Sequence, residues 1–239
     1  MKIAIIGYGK MGKEIEKVAL ERSHTIVKRF SDETPFLDAK DVDADVAIEF
    51  TAPDLAVRHM ERCLQLKLPV VVGTTGWAAS LPSIEKATES QNGSILYASN
   101  FSLGVHLFFE MSKKLSRLMD SQDYRPAITE THHTEKIDQP SGTAITTAEH
   151  IINEIKSFKK WELSNSTYIN DSDVLPIISK RIENVPGTHQ VSFSSEIDEI
   201  SLTHTANNRK GFALGAVIAA EWLLNKKGLF TMSDVLNLK

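Results

Sequence analysis

The sequence predicts an α/β chain in two parts: an N-terminal Rossmann-type parallel sheet, and a second α+β domain built on an open mixed sheet. Three observations carry this expectation. A β-branched run, Lys2-Ile3-Ala4-Ile5-Ile6, leads into Gly7-Tyr8-Gly9-Lys10-Met11-Gly12 and then into a helical pattern through Ile15, Val18 and Ala19. Strand and helix patterns alternate through the first hundred residues, as in doubly wound sheets. Beyond residue 124 strand patterns follow one another with a single helix among them. The expected division is residues 1–103 plus 212–239 as a dinucleotide-binding domain, and residues 104–211 as a second domain.

Taken in order, the first element is strand, GxGxxG, helix. The first glycine permits the tight turn, the second lets a pyrophosphate approach the backbone, and the third lets helix and strand pack closely. His24 to Phe30 reads as the second strand, and it runs into Ser31-Asp32-Glu33. At this position an acidic residue holds the adenosine ribose of a dinucleotide. Asp32 suits NADH, whereas Lys28, Arg29 or Lys10 suits the 2′-phosphate of NADPH, so the expected cofactor is NADH or NADPH without a choice between them. Val46 to Phe50 is a strand ending at Thr51-Ala52-Pro53, and Leu55 to Leu66 is a helix. Val70-Val71-Val72 leads into Gly73-Thr74-Thr75-Gly76, a helix begins at Leu81, and Ile95 to Ala98 is a further strand. Small or hydroxylic residues close these strands, at the edge where open α/β sheets bind ligands. Ser99-Asn100-Phe101-Ser102-Leu103-Gly104 then opens a helix from Val105 to Leu118.

In the second part Tyr124 to Thr131, Ile177 to Ile182, His189 to Ser195 and Glu196 to Thr205 read as strands. Asp171 to Pro176 reads as a loop, and the basic run Lys156 to Lys160 as a solvated helix end. Phe212 to Lys239 returns to helix, with Ala213, Ala216, Val217, Ala220 and Leu224 on the face that packs back on the first part.

The stretch Glu130-Thr131-His132-His133-Thr134-Glu135-Lys136-Ile137-Asp138-Gln139-Pro140-Ser141-Gly142-Thr143-Ala144 is chemically the densest. Ser141 or Thr143 can cap the helix that follows through Ile145, Ala148, Ile151, Ile152 and Ile155. Backbone N–H groups of Gly142 and Thr143 at that helix start, with the dipole behind them, form a carboxylate or phosphate site, and Lys136 adds a mobile positive charge. An isolated His-His pair reads as a surface feature. Joined to a lysine three positions on and a glycine-containing helix start, it reads as a set that binds and protonates an anionic substrate. No metal is expected here: neighbouring strand residues face opposite sides, and no third His or Cys lies nearby in the sequence.

Composition narrows the class. The 239 residues are 41% apolar, enough for a proper core, and the net charge of −4 gives no nucleic-acid footprint. A single cysteine, Cys63, permits no internal disulfide and suits a reducing compartment. The first strand begins at residue 2, which leaves no room for a signal peptide, and no apolar run approaches the roughly 18 residues of a membrane span. A cytoplasmic protein is therefore expected.

With these motifs in view the chain resembles dihydrodipicolinate reductase, also called 4-hydroxy-tetrahydrodipicolinate reductase, of lysine and diaminopimelate biosynthesis. The resemblance lies in Gly7 to Gly12, Glu49-Phe50-Thr51 followed by Pro53, Gly73 to Gly76, and Asn100-Phe101-Ser102-Leu103-Gly104-Val105. It continues through His132 to Asp138 and on to Thr143, Gly215-Ala216-Val217, and Gly228-Leu229-Phe230-Thr231-Met232-Ser233-Asp234-Val235-Leu236. Many members carry Arg-His where this chain has Thr134-Glu135, and Ala where it has Gln139.

The resemblance implies a cytoplasmic homotetramer in which NADH or NADPH reduces a cyclic dicarboxylate, with residues 104–211 serving substrate binding and oligomerisation. It implies that His132 donates the proton and that Lys136 is a second donor or charge stabiliser. His133, Ser141, Gly142 and Thr143 would hold substrate carboxylates. Gly7, Tyr8, Gly9, Lys10, Met11 and Gly12 would cradle the dinucleotide, with Gly73, Thr74, Thr75, Ala98, Ser99, Asn100 and Phe101 lining it near the nicotinamide. Diaminopimelate or aspartate dehydrogenases share the Rossmann half but do not explain the His-His-x-x-Lys and Pro-Ser-Gly-Thr pairing. A dinucleotide-sensing regulator would keep Gly7, Gly9 and Gly12 and have no need of His132 and Lys136.

Overall fold

The computed structural model describes residues 1–208 and 210–238, and it divides into two compact units, Met1–Leu103 with Arg209–Lys239, and Gly104–Asn208. In the first unit the elements run β1 (Lys2–Ile6), α1 (Lys10–Glu21), β2 (Thr25–Phe30), β3 (Val46–Glu49), α2 (Pro53–Gln65), β4 (Val70–Val72), α3 (Leu81–Ser90) and β5 (Ser94–Tyr97). After the second unit the chain returns as α6 (Lys210–Leu223), β11 (Gly228–Phe230) and α7 (Met232–Val235). The six strands are paired in parallel in the order β11-β5-β4-β3-β1-β2. The winding therefore reverses beside β1, and the crevice at that reversal is where a doubly wound sheet takes its ligand.

Alternation along β1 builds the two cores. Ile3 and Ile5 pack with Ile15 and Val18 of α1 and Ala216, Val217 and Ala220 of α6, whereas Ala4 and Ile6 turn to the opposite face against Ala56, Met60 and Cys63 of α2. Each fully buried isoleucine contributes about 1.5–3 kcal/mol, so both faces anchor the strand that carries the glycine turn.

The second unit contains α4 (Leu103–Met119, beginning at the boundary), β6 (Arg125–His132), α5 (Gly142–Glu154), β7 (Lys160–Leu163), β8 (Val174–Arg181), β9 (Thr188–Ser194) and β10 (Glu199–Thr205). Its sheet is mixed, in the order β10-β9-β6-β8-β7, with β6 parallel to β8 and antiparallel to β9. Ile128, Ile177, Val191 and Phe193 form a core with Phe108 and Phe109 of α4 and Ala144, Ala148 and Ile151 of α5.

Three segments depart from the sequence expectation. The run Lys156 to Lys160 is no helix end: α5 stops at Glu154, Ile155 is already extended, and Lys160 opens β7. Pro176 lies inside β8 rather than in a loop, because β8 begins its pairing with β6 only at Ile177, so the missing N–H removes no bond on that side. The C-terminal stretch is not helical throughout, since Gly228-Leu229-Phe230 adds a strand beside β5. A three-residue strand opening on glycine carries too little periodicity to read.

Candidate active site

Period-two alternation places Ile128, Glu130 and His132 of β6 on the helix-covered face of the sheet, so the last two turns of the pleat put a carboxylate and an imidazole where the strand leaves the core. Glu130 is fully buried and His132 is 8% exposed. The Nδ1 of His132 hydrogen-bonds the Glu130 carboxylate. Its other nitrogen lies against Gly187: a β-carbon there would sit 2.9 Å from Nε2. Only a residue without a side chain leaves that ring edge uncovered.

Glu130 is held from the other side by Arg181 of β8, whose Nη1 donates to Oε1 at 2.9 Å. Burial alone would raise the Glu130 carboxyl, but hydrogen bonds from His132 and Arg181 outweigh it and hold it at about 2. Arg181 donates further, through Nε to the carbonyl of Lys136 at 3.2 Å and through Nη2 to the carbonyl of Asp138 at 2.6 Å. One guanidinium thus joins Glu130 to the loop that carries Lys136. In that loop the Lys136 ammonium donates to both oxygens of Asp138 at 2.7 Å.

His189 of β9 stacks edge-on against His132 with ring centroids 5.0 Å apart, and its Nε2 meets the Ser141 hydroxyl at 3.1 Å. Burial and the neighbouring His132 lower its pKa to about 3, so it stays neutral. The expectation that no third histidine lies near His132 is thereby corrected: Glu130, His132 and His189 bring their donor atoms within 4.8 Å of one another. A cation is still poorly served, because Arg181 already supplies the positive charge on Glu130.

Ser141, not Thr143, caps α5, its hydroxyl accepting from the Ala144 N–H at 3.2 Å. With 2% exposure and partners in both Ala144 and His189, Ser141 shapes the helix start rather than meeting solvent. Gly142 at the first turn is exposed, with nothing within 4 Å of the position of a β-carbon. Thr143 and His133 are half-buried, and the His133 Nδ1 is buried without a hydrogen-bond partner.

In the other unit the three glycines of the turn behave differently. A β-carbon on Gly7, whose φ is +94°, would lie 2.0 Å from the Phe50 carbonyl oxygen, and one on Gly12 would lie 2.3 Å from the Gly7 carbonyl oxygen. Around Gly9 there is nothing within 4 Å. The first and third glycines therefore serve packing, and the second faces open space. An open hollow of about 480 Å³ is lined by Gly9, Lys10, Met11, Phe50, Thr51, Gly73, Thr74 and Thr75, among others, so the structure brings two of the sequence-predicted segments together. The Thr51 N–H donates to the Thr74 hydroxyl at 2.7 Å, and the Thr51 hydroxyl bonds the buried Glu49, which ties the two loops.

The remaining predicted cofactor residues divide. Ala98 is half-buried, with its N–H on the Val72 carbonyl at 3.2 Å; Ser99 is exposed, and the Asn100 side chain accepts from the Ser102 N–H at 2.8 Å. Phe101 is 2% exposed and packs against Phe50, so its ring supports the hollow from behind rather than lining it. Tyr8 bonds Glu16, and Arg29 crosses the Tyr8 ring while donating to Glu16 through Nε at 3.0 Å. Of the cations considered for a 2′-phosphate, Arg29 is therefore already engaged.

Sequence reading missed Arg181, His189 and Gly187, and it treated Glu130 only as a strand end. The i, i+2 spacing of Glu130 and His132 signalled their common face. The others lie far along the chain, Arg181 on β8, His189 on β9 and Gly187 in the turn between them, and no local pattern joins them.

Residues 1–101 match the family model described as dihydrodipicolinate reductase, N-terminus, and residues 104–236 match the corresponding C-terminus model. The chain is 46% identical over 238 residues to the 4-hydroxy-tetrahydrodipicolinate reductase of Christiangramia forsetii, covering 99% of this chain and 98% of the relative. With the reductase of that name from Neisseria gonorrhoeae it shares 31% identity, covering 100% and 98%. Among solved structures, a dipicolinate-bound dihydrodipicolinate reductase from Paenisporosarcina sp. TG-14 superposes with a TM-score of 0.78 at 24% identity, covering 97% of each chain. An amine dehydrogenase from Mycobacterium smegmatis, with a TM-score of 0.64 at 8% identity over 98% and 95% of the chains, shares the fold alone.

Proposed function

Because the chain belongs to the dihydrodipicolinate reductase family, we propose that His132 donates the proton, and Lys136 the stabilising charge, in the reaction of that family. The protein is an NAD(P)H-dependent oxidoreductase that reduces 4-hydroxy-tetrahydrodipicolinate to tetrahydrodipicolinate in lysine and diaminopimelate biosynthesis. Amino-acid dehydrogenases and non-catalytic dinucleotide sensors are not favoured.

The single observation that carries the assignment of His132 is its pairing with a buried carboxylate at one nitrogen and with glycine at the other. Glu130 fixes Nδ1 as the protonated partner, so the transferable proton sits on Nε2, the edge that Gly187 leaves clear. The glycine turn fits a dinucleotide: among the described residues Gly9 faces open space and no side chain caps the N terminus of α1. Gly7 to Gly12 and Gly73 to Thr75 would hold it, and when bound it supplies hydride to the substrate ring. Addition of hydride leaves electron density on the substrate and the proton from His132 quenches it, while the 4-hydroxyl group leaves as water, so that substrate, hydride and proton together give tetrahydrodipicolinate and water. Lys136, once turned from Asp138, meets a substrate carboxylate, and the N–H groups of Gly142 and Thr143 meet another. His133, half-buried beside His132, serves the same anion.

Purified protein mixed with freshly made substrate should oxidise NADH or NADPH, with oxidation depending on both partners. Dipicolinate, the planar dicarboxylate bound to the Paenisporosarcina protein, should inhibit. A folded protein that oxidises neither dinucleotide would overturn the reading. We place the enzyme in the cytoplasm as a homotetramer, which analytical ultracentrifugation checks; among the described residues no helix is long and apolar enough to cross a membrane.

A further inference from the structure

We propose that Arg181 is a positioning residue for both the proton donor and the stabilising cation of the site, aligning His132 through Glu130 and Lys136 through the backbone of its loop. This rests on the roles given above to His132 and Lys136. The geometry is specific to a guanidinium. Its Nη1 reaches the Glu130 carboxylate at 2.9 Å and the Lys180 carbonyl at 2.8 Å, its Nε the Lys136 carbonyl at 3.2 Å, and its Nη2 the Asp138 carbonyl at 2.6 Å. These are four acceptors in one planar fork, around a side chain only 13% exposed. A lysine ammonium has three donors radiating from one atom and no plane, one donor fewer than these four acceptors, so it cannot reproduce the set.

The arrangement has two consequences. Glu130 is anchored at Oε1 by Arg181 and at Oε2 by His132, so rotation of the carboxylate would break one bond to keep the other, and the imidazole plane is set with it. The two carbonyls gripped by Nε and Nη2 flank Ile137, so the loop from Lys136 to Asp138 is tied to β8 at the place where the ammonium must swing from Asp138 to a substrate carboxylate. Four of the five N–H groups of Arg181 are spent on protein acceptors. Its effect on the reaction passes through its neighbours.

Among the described residues, the charged groups around His132 are Glu130 on its own strand and, bonded to that carboxylate, Arg181 from β8; on the loop that follows, Lys136 is paired with Asp138. The titratable His189 approaches from β9, and His204 of β10 stands behind it. Removing Arg181 deletes a cation and makes protons on the Glu130–His132 pair harder to lose; removing the Glu130 charge does the reverse. The two substitutions therefore carry opposite signatures in pH.

The test measures kcat, KM and the pH profile of kcat for Arg181→Lys, Arg181→Met and Glu130→Gln, with affinities for NADH and dipicolinate by calorimetry. General acid catalysis contributes about 100- to 10,000-fold, so misalignment in Arg181→Lys should lower kcat by about 10- to 100-fold. Its NADH affinity should be unchanged. The alkaline limb of the profile should move to higher pH in Arg181→Met and to lower pH in Glu130→Gln. Should Arg181→Met fail to fold, Arg181→Lys and Glu130→Gln carry the test.

Wild-type kcat in Arg181→Lys would overturn the proposal. So would a lowered kcat in which Glu130→Gln leaves the profile in place, because a structural prop changes the rate without moving a titration. His132→Gln is the control that separates the two levels of argument. Wild-type turnover in that variant removes the assignment of His132 itself, whereas lost turnover there with normal Arg181 variants removes only the role given to Arg181.

Discussion

His132 meets two neighbours of opposite character, a carboxylate behind it and a bare glycine in front, and the proton-donating role proposed for it rests on that asymmetry. Substitution His132→Gln should lower turnover by about 100- to 10,000-fold, the usual share of general acid catalysis, while dipicolinate affinity changes little because the carboxylates are met by other groups. Steady-state rates set beside inhibitor titration check this. Lys136→Met keeps much of the side-chain length and loses the charge. A charge-assisted hydrogen bond is worth roughly 1.5–3 kcal/mol, so dipicolinate affinity should fall about 10- to 100-fold with dinucleotide affinity preserved. A fall in kcat larger than the fall in affinity would show that Lys136 also assists protonation. Both residues were legible in the sequence because they share one short stretch with a helix start. Arg181, Gly187 and His189 were not, since strand pairing across the sheet, and not chain proximity, brings them to His132.

The glycine turn and the helix it opens show how far element-level patterns can be read. The motif predicted three distinct duties, and the distances to a hypothetical β-carbon separate them: backbone lies 2.0 Å away at Gly7 and 2.3 Å away at Gly12, with open space at Gly9. Gly9→Val should therefore fold and fail to bind NADH, with circular dichroism and calorimetry as paired measurements. Gly7→Ala should lose stability before affinity is an issue, because both its φ of +94° and the Phe50 carbonyl oppose a side chain. Strands β1 to β5 were legible from β-branched runs that stop at small residues, and α5 from its serine cap. The elements missed, β7 and β11, are four and three residues long and owe their place to neighbours already in the sheet.

Across the whole molecule, stability should depend on pH through buried groups of the second unit. His189 is held neutral, with its pKa lowered by burial and by His132 to about 3, against about 6.5 in an unfolded chain. Its contribution is complete above pH 6.5 and is lost as pH falls toward 3, since the unfolded chain takes up a proton that the folded one refuses. Glu130, at about 2 when folded, acts in the same direction between about pH 4.5 and 2. Urea unfolding from pH 6 to pH 4 should show a decline of about 1.4 kcal/mol per pH unit from His189, and His189→Gln should flatten that slope whatever it does to the stability at pH 7.

The return of α6 and β11 to the first unit has a consequence for synthesis. Ala213, Ala216, Val217, Ala219, Ala220 and Leu223 all belong to the core that covers Ile3 and Ile5. A nascent chain that has reached residue 208 holds every strand of the second sheet, while the first sheet still lacks β11 and its Ile3–Ile5 face has α1 but not α6. The later unit is thus complete in sequence while the earlier one waits with its apolar face half covered. Stalled chains of that length should show protease resistance in the second unit before the first, and a chaperone has its longest opportunity on the part made first.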